Sequence, residues 1–228
     1  SEPEEEEDLD FDFGVEPEDE PSRSGDDHDD AHHLSEDTAL DSLPSALVHT
    51  LGSGATSSGA TASTKLIAQQ YIRLAKLQAQ GASEGLTVSL PIESDVYRWS
   101  CEMRPPPGTA LADELARFAA RYGRPDAVQL EVLFTPAFPH EPPFVRILSP
   151  RFAFHTGHVT VGGSVCMELL TPSGWSPACS LEAVLIDIRA TILTGDGRLD
   201  TERAHVPYDE KEAREAFLRV ARQHKWIS

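Results

Sequence analysis

Along TKLIAQQYIRLAKLQAQG the apolar positions Ile67, Tyr71 and Leu74 recur every three or four residues beside Leu66 and Leu77, and Gln78 completes the face. That period predicts a helix, with Ser63 or Thr64 as its N-cap and Gly81 as its stop. The pattern then shortens. LTVSLPI and VYRWSCEM are brief, rich in β-branched and aromatic residues, and separated by ESD, which predicts two antiparallel strands. After the break at PPPG, TALADELARFAARYG restores the helical period through Leu111, Leu115, Phe118 and Tyr122 and closes on Gly123. AVQLEVLF and FVRIL predict two further strands around TPAFPHEPP, whose Pro139, Pro142 and Pro143 lack the backbone donors of a central strand. SLEAVLIDIRATIL places Leu181, Val184, Leu185, Ile188 and Ile192 on one stripe, with Ser180 as cap, in a helix expected to cross the sheet. DEKEAREAFLRVARQHKW reads as a last helix through Ala213, Phe217, Val220 and His224. A helix, a four-stranded antiparallel meander with a helix inserted between strands, and then two helices make an α+β fold.

Charge divides the chain. Of the 38 acidic residues, 19 lie between Ser1 and Leu43 against one base, Arg23, so the rest of the chain is nearly neutral. The tail together with the small-residue run LGSGATSSGATAST predicts a disordered acidic segment and linker over residues 1–62. Residues 63–228 then form one domain, enough chain for one core. A nearly neutral body has no broad cationic field for a phosphate backbone, which argues against nucleic acid as partner. No apolar run approaches the length of a membrane span, and the acidic opening does not read as a signal peptide. Three cysteines, Cys101, Cys166 and Cys179, are too few and too odd for a disulfide framework. An intracellular protein of the cytoplasm or nucleus is expected.

Cys101 lies inside a strand pattern and Cys179 directly precedes a helix cap, so both read as packing residues. Cys166 follows Gly157, Gly162 and Gly163, with His155 and His158 nearby. Such glycines let the backbone curl and bring amide N–H groups toward whatever the sulfur carries. Taken by itself, this pattern is equally that of a buried cysteine after a glycine turn.

Four segments, in this order, resemble a ubiquitin-conjugating enzyme domain: the first helix, FPHEPP at Phe138–Pro143, GGSVCMELL around Cys166, and WSPA at Trp175–Ala178 leading into the crossover helix. KLIAQQY, the inserted helix at Thr109–Tyr122, PPFVRILSP and GGSVCMELLTPSGWS resemble the Q class of that family in particular. The resemblance implies that Cys166, on a short strand, carries ubiquitin as a thioester and passes it to an acceptor lysine or a Ser or Thr hydroxyl. It also implies ubiquitin, the activating enzyme, a ligase and a protein substrate as partners. No cofactor is implied, because ATP is used by the activating enzyme upstream.

Most family members carry an HPN triplet whose asparagine stands eight residues before the cysteine. Here the triplet is Thr156-Gly157-His158, so His158 is the candidate to supply the missing donor, alongside the backbone amides after the glycines. Asp200, and after it Asp196, are the candidate acidic residues for activating an acceptor amine. Both also fit as turn residues. The resemblance also implies that His140, Pro177 and Ala178 fall in ligase-docking loops, and Lys65, Arg73 and Lys76 on the helix face used by the activating enzyme. A cis bond is expected at Phe138–Pro139.

Three other readings compete. One is a catalytically inactive module of the same fold that binds ubiquitin or a ligase. Another is a cysteine hydrolase pairing Cys166 with His155 or His158, which would need a third orienting group. The last, a metal site in HDDAHH, lacks a closed ligand geometry.

Overall fold

The computed structural model describes residues 61–227. The acidic tail and nearly all of the proposed linker therefore lie outside the described residues. The last two linker residues do not, because Thr61 caps and Ala62 opens the first helix, α1 (Ala62–Ala79). The cap is thus Thr61 rather than Ser63 or Thr64. Its Oγ1 accepts from the Thr64 amide at 3.2 Å, while the Tyr97 hydroxyl lies 3.3 Å from Thr61 Oγ1 and 2.8 Å from Thr64 Oγ1. A residue 36 positions away in sequence fixes where the helix starts, and Ser63 is carried inside the first turn, buried. Ile67, Tyr71 and Leu74 are buried as the pattern requires, and Gln78 Oε1 accepts from the Val88 amide at 3.0 Å, tying the helix to the first strand.

That strand, β1 (Leu86–Ser89), is followed by β2 (Arg98–Met103), β3 (Val128–Leu133) and β4 (Phe144–Ser149), paired antiparallel in that order. Side chains alternate across the pleat, so Trp99, Cys101 and Met103 share one face and all three are fully buried. The row Val88, Cys101, Leu130 and Ile147 crosses all four strands in register. The other face is ionic: Glu131 pairs with both Arg98 and Arg146, and Arg146 also donates to the Tyr208 carbonyl at 3.3 Å.

The inserted helix α2 (Ala110–Tyr122) runs from a Thr109 cap to Gly123 in the left-handed region. The crossover helix α3 (Leu181–Thr194) buries all five residues of its predicted stripe and is joined to α1 by Arg73 Nε and Glu182 Oε2 at 3.1 Å.

The last helix, α4 (Glu210–Gln223), opens on a capping box formed by Asp209 and Glu212. Its buried face departs from the expected one, being Ala213, Ala216 and Ala221. Phe217 and Val220 are only half-buried, and His224 is exposed at the C-cap. The reason is close approach: a Cβ on Gly162 would stand 2.2 Å from the Glu212 carbonyl oxygen and 2.8 Å from Ala216 Cβ. Only small residues fit where a helix lies directly on a glycine backbone. Phe138–Pro139 is cis as expected, and Ser149–Pro150 is cis as well.

Candidate active site

The segment carrying Cys166 forms a tight reversal, not the expected strand. Gly163 donates to the Thr160 carbonyl, Ser164 to Thr160 Oγ1, and the two hydroxyls of Thr160 and Ser164 lie 2.7 Å apart. Val159 and Val165 then pair as an isolated antiparallel bridge, and the Cys166 amide donates to the His158 carbonyl at 2.8 Å. The reversal is held on the edge of β4 by Ile147 donating to Gly163 and Val165 donating to Val145. After Cys166 the chain turns into a short 3-10 helix, Glu168–Leu170. The geometry requires both glycines before the cysteine. Gly163 has φ +89° with the Tyr208 ring 2.5 Å from where its Cβ would be, and Gly162 is pressed against α4.

Cys166 and His158 line one cleft of about 480 Å³ between the 154–161 loop and α4. Phe154 and Val161 form an exposed apolar rim, 70% and 52% accessible. His155, Arg219, Gln223 and His224 also line it, with Thr156 and Thr160, and none of the lining residues is a carboxylate. The Cys166 thiol is half-buried, and burial pushes its pKa above the ordinary thiol value. Most of the backbone donors just before the sulfur are already engaged. The amides of Gly163, Ser164, Val165 and Cys166 all donate within the reversal or to β4, and that of Gly157 donates to Gly195. The exposed His158 ring makes no side-chain hydrogen bond among the described residues.

Asp200 is not brought to this cleft. Its Oδ1 accepts from the amides of Glu202 and Arg203 and its Oδ2 from Arg203 Nε, a turn-capping role. The Arg203 amide above all holds its carboxyl below the ordinary value, against the opposing effect of burial. Asp196 is an exposed turn residue at φ +48°.

The two loops proposed for ligase docking do meet, because Trp175 Nε1 donates to the Pro139 carbonyl at 2.7 Å and its ring packs on Phe138. His140, Pro177 and Ala178 are exposed around that joint. Lys65 and Arg73 are exposed on α1 and Lys76 is half-buried, with Arg73 already engaged by Glu182. Among the described residues no cluster of His, Cys, Asp or Glu could hold a metal ion, and no helix is long and apolar enough to cross a membrane.

With a half-exposed cysteine at one wall of a cleft and a Trp-laced pair of loops ahead of the crossover helix, residues 67–224 match the family described as ubiquitin-conjugating enzyme. The chain belongs to that family. It is 30% identical over 173 residues to a Drosophila melanogaster protein named ubiquitin-conjugating enzyme E2Q-like protein CG4502, covering 74% of this chain and 54% of that protein. It is 38% identical over 106 residues to the human ubiquitin-conjugating enzyme E2Q-like protein 1, covering 44% of this chain and 65% of that protein. These relatives bear out the Q-class resemblance, and the chain spans between about half and two thirds of their length. Among solved structures, a ubiquitin conjugating enzyme E2 from Plasmodium falciparum aligns with a TM-score of 0.47 at 16% identity, over 62% of this chain and 91% of that one.

The sequence pattern did not single out the α4 side of the cleft, Arg219 and Gln223, nor its Phe154 and Val161 rim. One signal was available. A glycine pair at Gly162–Gly163 and a stripe of alanines in the last helix are the two halves of a close contact.

Proposed function

We propose that the chain carries ubiquitin as a thioester on Cys166 and passes it to an acceptor lysine, or to a Ser or Thr hydroxyl. The observation that carries this reading is the half-exposed Cys166 thiol, held opposite His158 in an open cleft large enough for an extended peptide tail. In the first step the Cys166 thiolate attacks the carbonyl carbon of ubiquitin's terminal glycine, and the activating enzyme's thiolate leaves. In the second, the acceptor nitrogen or oxygen attacks the same carbonyl, loses its proton, and Cys166 departs as thiolate.

The tetrahedral oxyanion that forms within each step needs a donor. His158 supplies it through a ring N–H that no other side chain engages among the described residues, while the amides of Gly163, Ser164, Val165 and Cys166 are committed elsewhere. His155, His158 and His224 line the same cleft as Cys166 and offer imidazole nitrogens to an acceptor entering it. The α1 face bearing Lys65, Arg73 and Lys76 serves the activating enzyme. The joint displaying His140, Pro177 and Ala178 serves a ligase, with the polar His140 tip selecting among them. On this reading ATP is consumed upstream by the activating enzyme, and the transfer itself calls for no cofactor.

Incubation with ubiquitin, ATP and activating enzyme tests the reading. A ubiquitin adduct that reductant removes, that Cys166→Ala abolishes and that Cys166→Ser converts to a reductant-resistant ester is expected. A folded chain that forms no adduct would leave only a non-catalytic binding module. Discharge of the preformed thioester onto free lysine, serine or threonine then ranks the acceptors.

A further inference from the structure

The inserted helix α2 does more than cover the core. Its buried face is Leu111, Leu115 and Phe118, but Glu114, on the neighbouring face, reaches across to the stretch that follows α3. Glu114 Oε1 accepts from Arg198 Nε at 2.8 Å and from the terminal guanidinium nitrogen at 2.5 Å, and Oε2 accepts from the Leu199 amide at 2.8 Å. Both carboxylate oxygens are thus occupied by two residues adjacent in sequence.

That stretch in turn holds the loop leading to His158. The Arg198 amide donates to Thr156 Oγ1 at 3.2 Å, and the Arg198 carbonyl accepts from the Ala153 amide at 2.8 Å. Phe152 and Leu199 pair as an isolated bridge, and the Gly157 amide donates to the Gly195 carbonyl at 2.7 Å. Gly195 also touches the ring itself, since a Cβ there would stand 2.6 Å from His158 Cδ2. The next residue contact is the 2.8 Å bond between the His158 carbonyl and the Cys166 amide. A series of close contacts therefore runs from α2 to the sulfur-bearing residue, anchored by Glu114 on α2 and by the end of α3, where the Gly195 amide donates to the Thr191 carbonyl at 3.0 Å. Glu114 itself does not line the cleft.

We propose that Glu114 is a positioning residue for the Cys166 site: by clamping Arg198 and Leu199 it fixes the 152–158 loop and hence the place of His158 relative to the sulfur. The carboxylate is the form the clamp needs. Burial opposes the charged form, yet Arg198 and the Leu199 amide hold the Glu114 pKa below its ordinary value. The inference rests on the thioester reading given above.

The test is single-turnover discharge of preformed thioester in the full chain. Glu114→Ala is expected to lower the rate at saturating acceptor by about tenfold, the scale on which small misplacements act, with the half-saturating acceptor concentration unchanged. Glu114→Gln, which keeps an oxygen for the Leu199 amide, is expected to recover most of the rate. A second measurement uses no ubiquitin: alkylation of Cys166 by iodoacetamide, read by peptide mass against Cys179 in the same molecule. Glu114→Ala should change the Cys166 rate severalfold and leave Cys179 alone. Wild-type rates in both assays, together with a lowered melting temperature, would reduce Glu114 to a purely structural role and overturn the proposal. Should the wild-type chain form no thioester, the conjugation reading falls, and the alkylation ratio alone decides whether Glu114 positions the Cys166 loop.

Discussion

The amide of Cys166 donates to the carbonyl of His158 at 2.8 Å, so the two residues are facing positions of one reversal. The bond uses only main-chain atoms and survives any change of the His158 side chain. His158 sits at φ +53°, a conformation that asparagine tolerates better than most residues. His158→Asn is therefore expected to keep both the loop and a donor and to retain thioester discharge. His158→Ala keeps the main-chain bond but has no donor, and should slow discharge by about a hundredfold, the cost of losing one oxyanion donor. Single-turnover rates of both variants check this.

Glu131 and Arg146 are both buried, each with about 8% of its side chain accessible. Removing one member of such a pair strands the other, so Glu131→Ala should destabilise the fold by about 3–5 kcal/mol. Replacing both, with Glu131→Leu and Arg146→Met, should return much of that loss. Urea unfolding midpoints distinguish the two outcomes.

Trp175 joins the loops that display His140 and Ala178 through its bond to the Pro139 carbonyl. Trp175→Phe retains an aromatic ring against Phe138 but removes the donor. We expect a loss of about 1 kcal/mol by denaturant unfolding, with faster amide exchange confined to residues 137–141 and 175–179.

Acid should weaken the fold through specific carboxylates. Asp200 and Glu210 are held below their ordinary values of 3.8 and 4.5 mainly by the Arg203 amide and by Arg214, respectively, and Glu114 by Arg198 despite burial. Because the native state favours their charged forms, their contribution is complete above the unfolded-state values. It is lost as pH falls through the lower, folded-state ones. Melting temperature should stay level down to about pH 5 and drop below about pH 4. Asp200→Asn should flatten part of that drop.

The cysteines should separate by reactivity. Burial pushes Cys101 up to about 12, whereas Cys166 is raised while half-exposed. At about pH 8, near the ordinary thiol range, iodoacetamide should label Cys166 and leave Cys101 untouched until the chain unfolds. The stability associated with Cys101 has the opposite sign from that of the acids. It is intact below the ordinary value of 9.0 and lost as pH climbs toward about 12.

The elements were legible in the sequence where a local period was enough. The crossover stripe from Leu181 to Ile192 and the alternation in VYRWSCEM each state which side chains face inward, whatever lies opposite. The motif order around FPHEPP, Cys166 and WSPA named the family for the same reason, since these are short contiguous patterns. What the tertiary structure decided is everything that depends on a partner distant in the chain. Tyr97 sets the start of α1 at Thr61, Gly162 turns the buried face of α4 to its alanines, and Glu114 of the inserted helix grips Arg198 behind the loop of His158. Sequence periodicity reports a residue's preference for burial or exposure. It holds no record of how closely two backbones approach or which carboxylate meets which guanidinium, and those distances place Cys166 and His158 in one cleft while directing Asp200 into a turn of its own.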